Sequence, residues 1–358
     1  MILSLTIVYV IVASFLIWIL MFGDPEGDTF RDRCNRLISV NLANIINRSL
    51  AIVFGPKGPE WASRIWVYLF HSNNQLVKYF YFVFVNLSYI GFVVSGYHLL
   101  PNRYASAFHK YTGFLSFLLC MFTFYKAAYT NPGKISTENF VQEIARYPFD
   151  EWIFAEKKIC ETCAFMKPAR SKHCRFCNVC ISRYDHHCIW LGQCVGRNNY
   201  KWFLAFLVSH IWLCVYGVLL GATILAEEVS ANSLFEAYFI EASSGQRVKG
   251  SYSVIGKYLL SKHFNISTLI LLGLIMGLVL SGFLLYHLNL VRTGRTTNEA
   301  SKWEVVNSVL KNEKFNDIKP VNIYDKGFAV NLREVLVTST CNREMNNQRN
   351  RSNARKRE

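Results

Sequence analysis

Charge is scarce in this sequence. Asp, Glu, Lys and Arg make up 18% of its 358 residues, against about 25% in an ordinary soluble domain. Acidic residues are the scarcer kind, 24 against 39 Lys and Arg, which leaves a formal charge of +15. Low hydrophobicity is also missing, since 52% of residues are hydrophobic and 15% aromatic. That excludes a disordered chain, and the collagen and disulfide-knot compositions are equally far off. No internal repeat of useful length is present, which removes one signature of a transporter. A mean hydropathy of +0.17 together with long uncharged runs assigns much of the apolar content to lipid rather than to one soluble core. The basic surplus is spread over several loops and forms no stripe with interleaved aromatics. It reads as a positive-inside bias, and no nucleic-acid partner is expected.

Residues 1–22 carry no charge and have the length that a membrane-spanning helix needs. They lack the basic start, the shorter apolar stretch and the small-residue cleavage site of a signal peptide. Arg31, Arg33 and Arg36 follow them, which places the N-terminus outside and the next loop in the cytosol. Further apolar runs cover 79–100, 108–130, 202–226 and 266–291, so the expected fold is a polytopic α-helical membrane protein with five crossings. Residues 49–70 are broken by Lys57, Pro59, Glu60 and Arg64, and read as an interfacial part of a cytosolic segment 23–78. The same topology makes 131–201 and the tail 292–358 cytosolic and leaves 227–265 on the lumenal side. His210 and His287 lie inside spans, where each is expected to bond across helices.

Seven of the 11 cysteines, Cys160, Cys163, Cys174, Cys177, Cys180, Cys188 and Cys194, fall in the cytosolic loop before the fourth span. Reducing conditions there argue for metal ligation and chemistry over disulfides. Paired C-x-x-C spacing brings two thiolates from one turn to one ion. With His173, His186 and His187, these cysteines can build two sites of three cysteines and one histidine, leaving one cysteine and one histidine over. A purely structural module has little need of such a spare pair, whereas a thiol nucleophile needs a neighbouring base. Asp185-His186-His187-Cys188 holds an acid, an imidazole, a possible ligand and a thiol in one run. Spacing alone leaves open whether Cys188 or Cys194 is the free thiol.

The run C-x-x-C, K-P-A-R-S-K-H-C, C-x-x-C, D-H-H-C-x-W and C-V-G-x-x-N resembles the cysteine-rich domain of the DHHC protein S-acyltransferases, or palmitoyltransferases. Its place between two spans fits that family, as do Thr296-Thr297-Asn298-Glu299 for the TTxE motif and Asn331 in Y-D-K-G-F-A-V-N-L. The extra N-terminal span and the K-P-A-R-S-K-H-C wording resemble the number-four branch of the animal family. The resemblance implies one zinc on Cys160, Cys163, His173 and Cys180, and another on Cys174, Cys177, His187 and Cys194. It leaves Cys188 as nucleophile, His186 as general base, Asp185 as its orienting partner and Thr297 as a contact for Asp185. The family usually reads DHHC-P-W-x-N-N-C, and Ile189, Gly192 and Gln193 depart from it. These departures remove no ligand, but Gly192 and Gln193 are expected to loosen the turn beside the site.

The implied reaction moves a long-chain acyl group such as palmitoyl from acyl-CoA to Cys188 and on to cytosolic cysteines of membrane-associated proteins. Lys167, Arg170 and Lys172 are candidates for the CoA phosphates. The basic end, ARKRE, resembles a dibasic retrieval signal and suits an endoplasmic reticulum or Golgi membrane, with the plasma membrane as the alternative. The main rival is a membrane-anchored zinc module that recruits partners, which should use every Cys and His as a ligand and need no TTxE segment.

Overall fold

The computed structural model describes residues 30–72, 74–156, 158–240, 245–312 and 320–337. The run expected as the first span, 1–22, lies outside them. The chain divides into two compact units: residues up to Thr123 with Ala205–Leu284, and Phe124–Leu204 with the residues from Leu285 onward.

Among the described residues, three helices are long and apolar enough to cross a membrane: Leu76–Leu99, Tyr200–Ala231 and Phe264–Arg292. They cover the runs expected at 79–100, 202–226 and 266–291. The run at 108–130 is also one helix, His109–Tyr129, but Lys110 and Lys126 make it less apolar than the other three. At 32 residues, Tyr200–Ala231 is about 48 Å long, more than the hydrocarbon core needs, so it extends past the expected boundary at 226.

In chain order the helices are α1 (Phe30–Arg36), α2 (Leu42–Phe54), α3 (Lys57–His71), α4 (Leu76–Gly96), α5 (His109–Tyr129), α6 (Phe140–Ile144), α7 (Tyr200–Ala231), α8 (Tyr252–Lys262), α9 (Phe264–Arg292), α10 (Thr297–Asn312) and α11 (Phe328–Leu336). In the first unit, Phe80, Val83, Leu87, Ile90 and Val94 of α4 are exposed, an apolar face that suits lipid contact. Glycines bring α7 and α9 together. A β-carbon at Gly221 would meet Ile270 at 2.8 Å, and one at Gly273 would meet Val218 at 2.9 Å, so small residues permit the close approach. Hydroxyls tie α5 to α7 through Thr123 Oγ1 and Ser209 Oγ at 2.7 Å, and Trp212 Nε1 donates to Ser116 Oγ at 3.1 Å. His210 bonds Tyr81 and also lies 2.7 Å from the Phe206 carbonyl, which satisfies its ring without a ligand.

Residues 49–70, expected to lie in the interface, fold as the end of α2 and most of α3, with Trp61, Ile65 and Trp66 exposed. The segment after α7 forms a hairpin of Tyr238–Ile240 with Arg247–Lys249, then α8. Glu228 ties that segment down by accepting from Lys262 Nζ at 2.6 Å and from the Tyr258 hydroxyl at 2.9 Å.

The second unit contains six very short strands: β1 (Ile159–Cys160), β2 (Phe165–Met166), β3 (Lys172–Cys174), β4 (Val179–Ile181), β5 (His186–Cys188) and β6 (Gln193–Val195). They pair as three antiparallel hairpins, with His173 opposite Cys180 and His187 opposite Cys194. Strands of two or three residues bury too little apolar surface to hold themselves. Many of their inward positions carry cysteine or histidine instead.

Candidate active site and metal centres

Two sets of ligand atoms converge among the described residues: Cys160, Cys163, His173 and Cys180, and Cys174, Cys177, His187 and Cys194. In the first, the three sulfurs lie 3.5, 3.4 and 3.8 Å from His173 Nδ1. In the second, they lie 3.6, 3.5 and 3.6 Å from His187 Nδ1. A tetrahedral ion with bonds of about 2.3 Å to sulfur and about 2.05 Å to nitrogen requires sulfur–nitrogen edges of about 3.6 Å. Both groups therefore fit a metal ion in size and in donor chemistry.

Strand β3 is shared. Its neighbours His173 and Cys174 belong to different groups because successive side chains in a strand point to opposite faces. The same alternation organises β5: His187 faces the second metal group, while His186 and Cys188 fall on the other face. Cys188 is the one cysteine of the run outside both groups.

His186 Nδ1 lies 2.7 Å from Asp185 Oδ2, and Cys188 is close enough to the same imidazole to favour its charged form. With Nδ1 on the carboxylate, the Nε2 edge is the one left for sulfur. Asp185 is held from behind by the start of α10, where the Thr297 N–H donates to Oδ1 at 2.9 Å and its hydroxyl to Oδ2 at 2.8 Å. Burial works against a charged His186, but the Asp185 hydrogen bond and the adjacent Cys188 sulfur raise it to about 10. Burial likewise opposes Asp185 ionisation, yet the bond and charge of His186, then the charge of His287 and the Thr297 N–H, bring it down to about 2.

The T-x-x-E spacing has a local cause. Glu299 N–H donates to Thr296 Oγ1 at 3.2 Å and Thr296 N–H donates to Glu299 Oε2 at 2.9 Å, a reciprocal capping box that starts α10. Glu299 also receives the Arg170 guanidinium, Nε to Oε1 and Nη2 to Oε2, both at 2.7 Å. Arg170 is 1% exposed and also donates to the Gly294 carbonyl. This corrects the expectation that Arg170 meets CoA phosphates, because its donors are turned inward onto Glu299. Of the other two candidates, Lys172 is exposed with its Nζ over the Tyr184 ring, and Lys167 is half-buried. Asn331 is buried: its amide donates to the Asp325 carboxylate at 2.8 Å and to the Arg292 carbonyl at 3.2 Å, docking α11 to the end of α9.

The loosened turn expected at Gly192 and Gln193 does not occur. Leu191 and Gly192 N–H donate to the Cys188 and Ile189 carbonyls, both at 3.2 Å. Gly192 has φ +64°, a left-handed position that asparagine and glycine both tolerate, so glycine in place of the family's asparagine keeps the turn. The Gln193 amide reaches the Ala127 and Thr130 carbonyls at 2.7 and 3.1 Å, pinning β6 to the last carbonyls of α5. The Gln193 role is not visible in the spacing, since its partners lie 66 and 63 residues away. Phe203, beside His186, and Tyr200, beside Phe203, are inseparable by sequence from ordinary span residues.

Residues 153–304 match the model of the DHHC palmitoyltransferase family. The chain is 31% identical over 308 residues to palmitoyltransferase swf1 of Schizosaccharomyces pombe, covering 85% of this chain and 81% of that protein. Palmitoyltransferase ZDHHC4 of Rattus norvegicus is 32% identical over 225 residues, or 59% of this chain and 63% of its own. ZDHHC4 of Bos taurus is 27% identical over 309 residues, covering 84% and 90%. The chain belongs to the DHHC palmitoyltransferase family and is a protein S-acyltransferase.

Proposed function

We propose that the enzyme transfers palmitoyl or a similar long-chain acyl group from acyl-CoA to cytosolic cysteines of membrane-associated proteins, through a thioester on Cys188. The observation that carries this reading is the position of Cys188: outside both ligand groups, and two residues along the same short strand from an imidazole that Asp185 orients. In the first step the Cys188 sulfur attacks the thioester carbonyl carbon, the carbon–sulfur bond to CoA breaks, and CoA leaves as thiol after taking a proton from His186. In the second step His186 accepts the proton of a substrate thiol, whose sulfur displaces Cys188 from the acyl carbon. Each step exchanges one thioester for another, so the bond energies nearly balance. Positioning and a supply of thiolate are then what the protein must contribute.

Zinc is the ion that suits three thiolates and one imidazole. Bound at the two groups, it would supply folding energy to the three hairpins. Lys167 and Lys172 are the remaining candidates for the CoA phosphates, and the acyl chain would lie among the apolar helices. The test uses purified, detergent-solubilised protein and alkyne-tagged palmitoyl-CoA. Cys188→Ser should lose all hydroxylamine-sensitive label and keep both metals, whereas Cys194→Ser should lose a metal. Label surviving in Cys188→Ser, or a metal lost from it, would favour the anchored zinc module instead.

The proposed topology has five crossings, with 1–22 and the helix His109–Tyr129 among them, α2 and α3 at the interface, and the cysteine-rich segment in the cytosol of an endoplasmic reticulum or Golgi membrane. An odd number of crossings puts the chain ends on opposite sides. On sealed microsomes, protease should remove a C-terminal tag and spare an N-terminal one; equal cleavage of both would overturn the count.

A further inference from the structure

We propose that His287, held by Tyr200, is a positioning residue for the His186 imidazole. This rests on the reading of Cys188 and His186 as nucleophile and base. Tyr200 and Phe203 stand one turn apart on the first turns of α7, so both point to one side of the helix. The Tyr200 hydroxyl lies 3.0 Å from His287 Nδ1, and the two residues are 1% and 0% exposed. The His287 ring sits 6.0 Å from that of His186. Phe203 stands edge-on to both, at 5.2 Å from His186 and 4.9 Å from His287.

Asp185 fixes one edge of the His186 ring, but a single hydrogen bond at Nδ1 leaves the ring free to turn about its axis. Phe203 and His287 block that rotation, and so determine where Nε2 points relative to Cys188. An apolar side chain at 287 would fill the same space without the cost of burying an imidazole. It would, however, lack the hydrogen bond that fixes its own orientation, and a wall that can change rotamer sets no angle for its neighbour. His287 is locked by Tyr200 and is therefore a rigid wall. The bland alternative is that the pair merely ties α9 to α7, in which case its loss should cost stability and leave the chemistry alone.

The experiment uses the full-length protein in detergent with His287→Leu, His287→Asn and Tyr200→Phe. The measurements are metal content, thermal midpoint, the rate of Cys188 alkylation by iodoacetamide, and autoacylation rate against acyl-CoA concentration. His287→Leu should lower the maximal autoacylation rate about ten- to a hundredfold, the range in which small misplacements of a reacting group fall. Alkylation should slow in parallel, with the half-saturating acyl-CoA concentration and both metals unchanged. His287→Asn, whose amide can still meet the Tyr200 hydroxyl, should recover most of the rate. Should His287→Leu fail to fold, Tyr200→Phe, which removes one oxygen, carries the test with the same expected pattern. Variants that melt earlier but acylate and alkylate at the wild-type rate would overturn the proposal. Wild-type label that persists in Cys188→Ser would instead overturn the reading beneath it, so the two failures are distinguishable.

Discussion

Stripping the metal ions is expected to abolish autoacylation and to unfold the three hairpins together rather than one at a time. The strands are two or three residues long, and beside the ligands they bury few apolar side chains, Ile181 and Val195 among them. A structural zinc site contributes about 10–16 kcal/mol of apparent folding energy in small peptides, comparable with the whole stability of a typical domain, about 5–15 kcal/mol. Nothing else in the hairpins is of that size. Because β3 gives His173 to one group and Cys174 to the other, loss of either ion should release the shared strand. Chelator titration followed by metal analysis should therefore show both ions leaving in one cooperative step. Label incorporation should fall with it, since His187 is what fixes β5 and hence the neighbouring His186 and Cys188. Two separate release steps, with label retained after the first, would show that the groups are independent. Apo protein that still acylates would remove the metals from any role in the site.

What could be read from the sequence was the part whose determinants are local. The C-x-x-C turns and the paired histidines announce metal ligation by spacing, and the sets implied by family resemblance are the sets that converge in space. Three long apolar helices were legible for the same reason, because hydrophobic runs of that length have few other uses. Sequence failed where partners are remote. Arg170 carried a plausible charge for a phosphate, but its partner Glu299 lies 129 residues away. Gln193 looked like a weak substitution until the Ala127 carbonyl came beside it. His287 read as one more polar residue in a span, and nothing local to it indicated that His186 would be its neighbour.

Replacing Arg170 with methionine is expected to cost about 3–5 kcal/mol, the usual penalty for removing one partner of a buried ion pair. Arg170 and Glu299 have side chains 1% exposed and meet in a two-bond fork. Burial pushes the arginine toward neutrality, and the charge and hydrogen bonds of Glu299 hold it protonated. Stacking adds to the site, with the guanidinium 4.5 Å from the Tyr324 ring centre and 5.1 Å from that of Tyr147. In Arg170→Met the Glu299 carboxylate stays buried with only the Thr296 N–H to satisfy it. The effect should reach the thiol, because Glu299 caps the helix whose first residue, Thr297, holds Asp185. Autoacylation should therefore fall along with thermal stability, while the ligand groups, which contain neither Arg170 nor Glu299, keep their metals. Glu299→Gln preserves the capping geometry and removes the charge. The double variant Arg170→Met with Glu299→Gln should then be more stable than the sum of the single losses predicts, by about 1–3 kcal/mol, the coupling found for residues in direct contact. Strict additivity, measured by denaturation of the metal-loaded protein, would mean that the two side chains act separately. The TTxE segment would then have to hold Asp185 without help from Arg170.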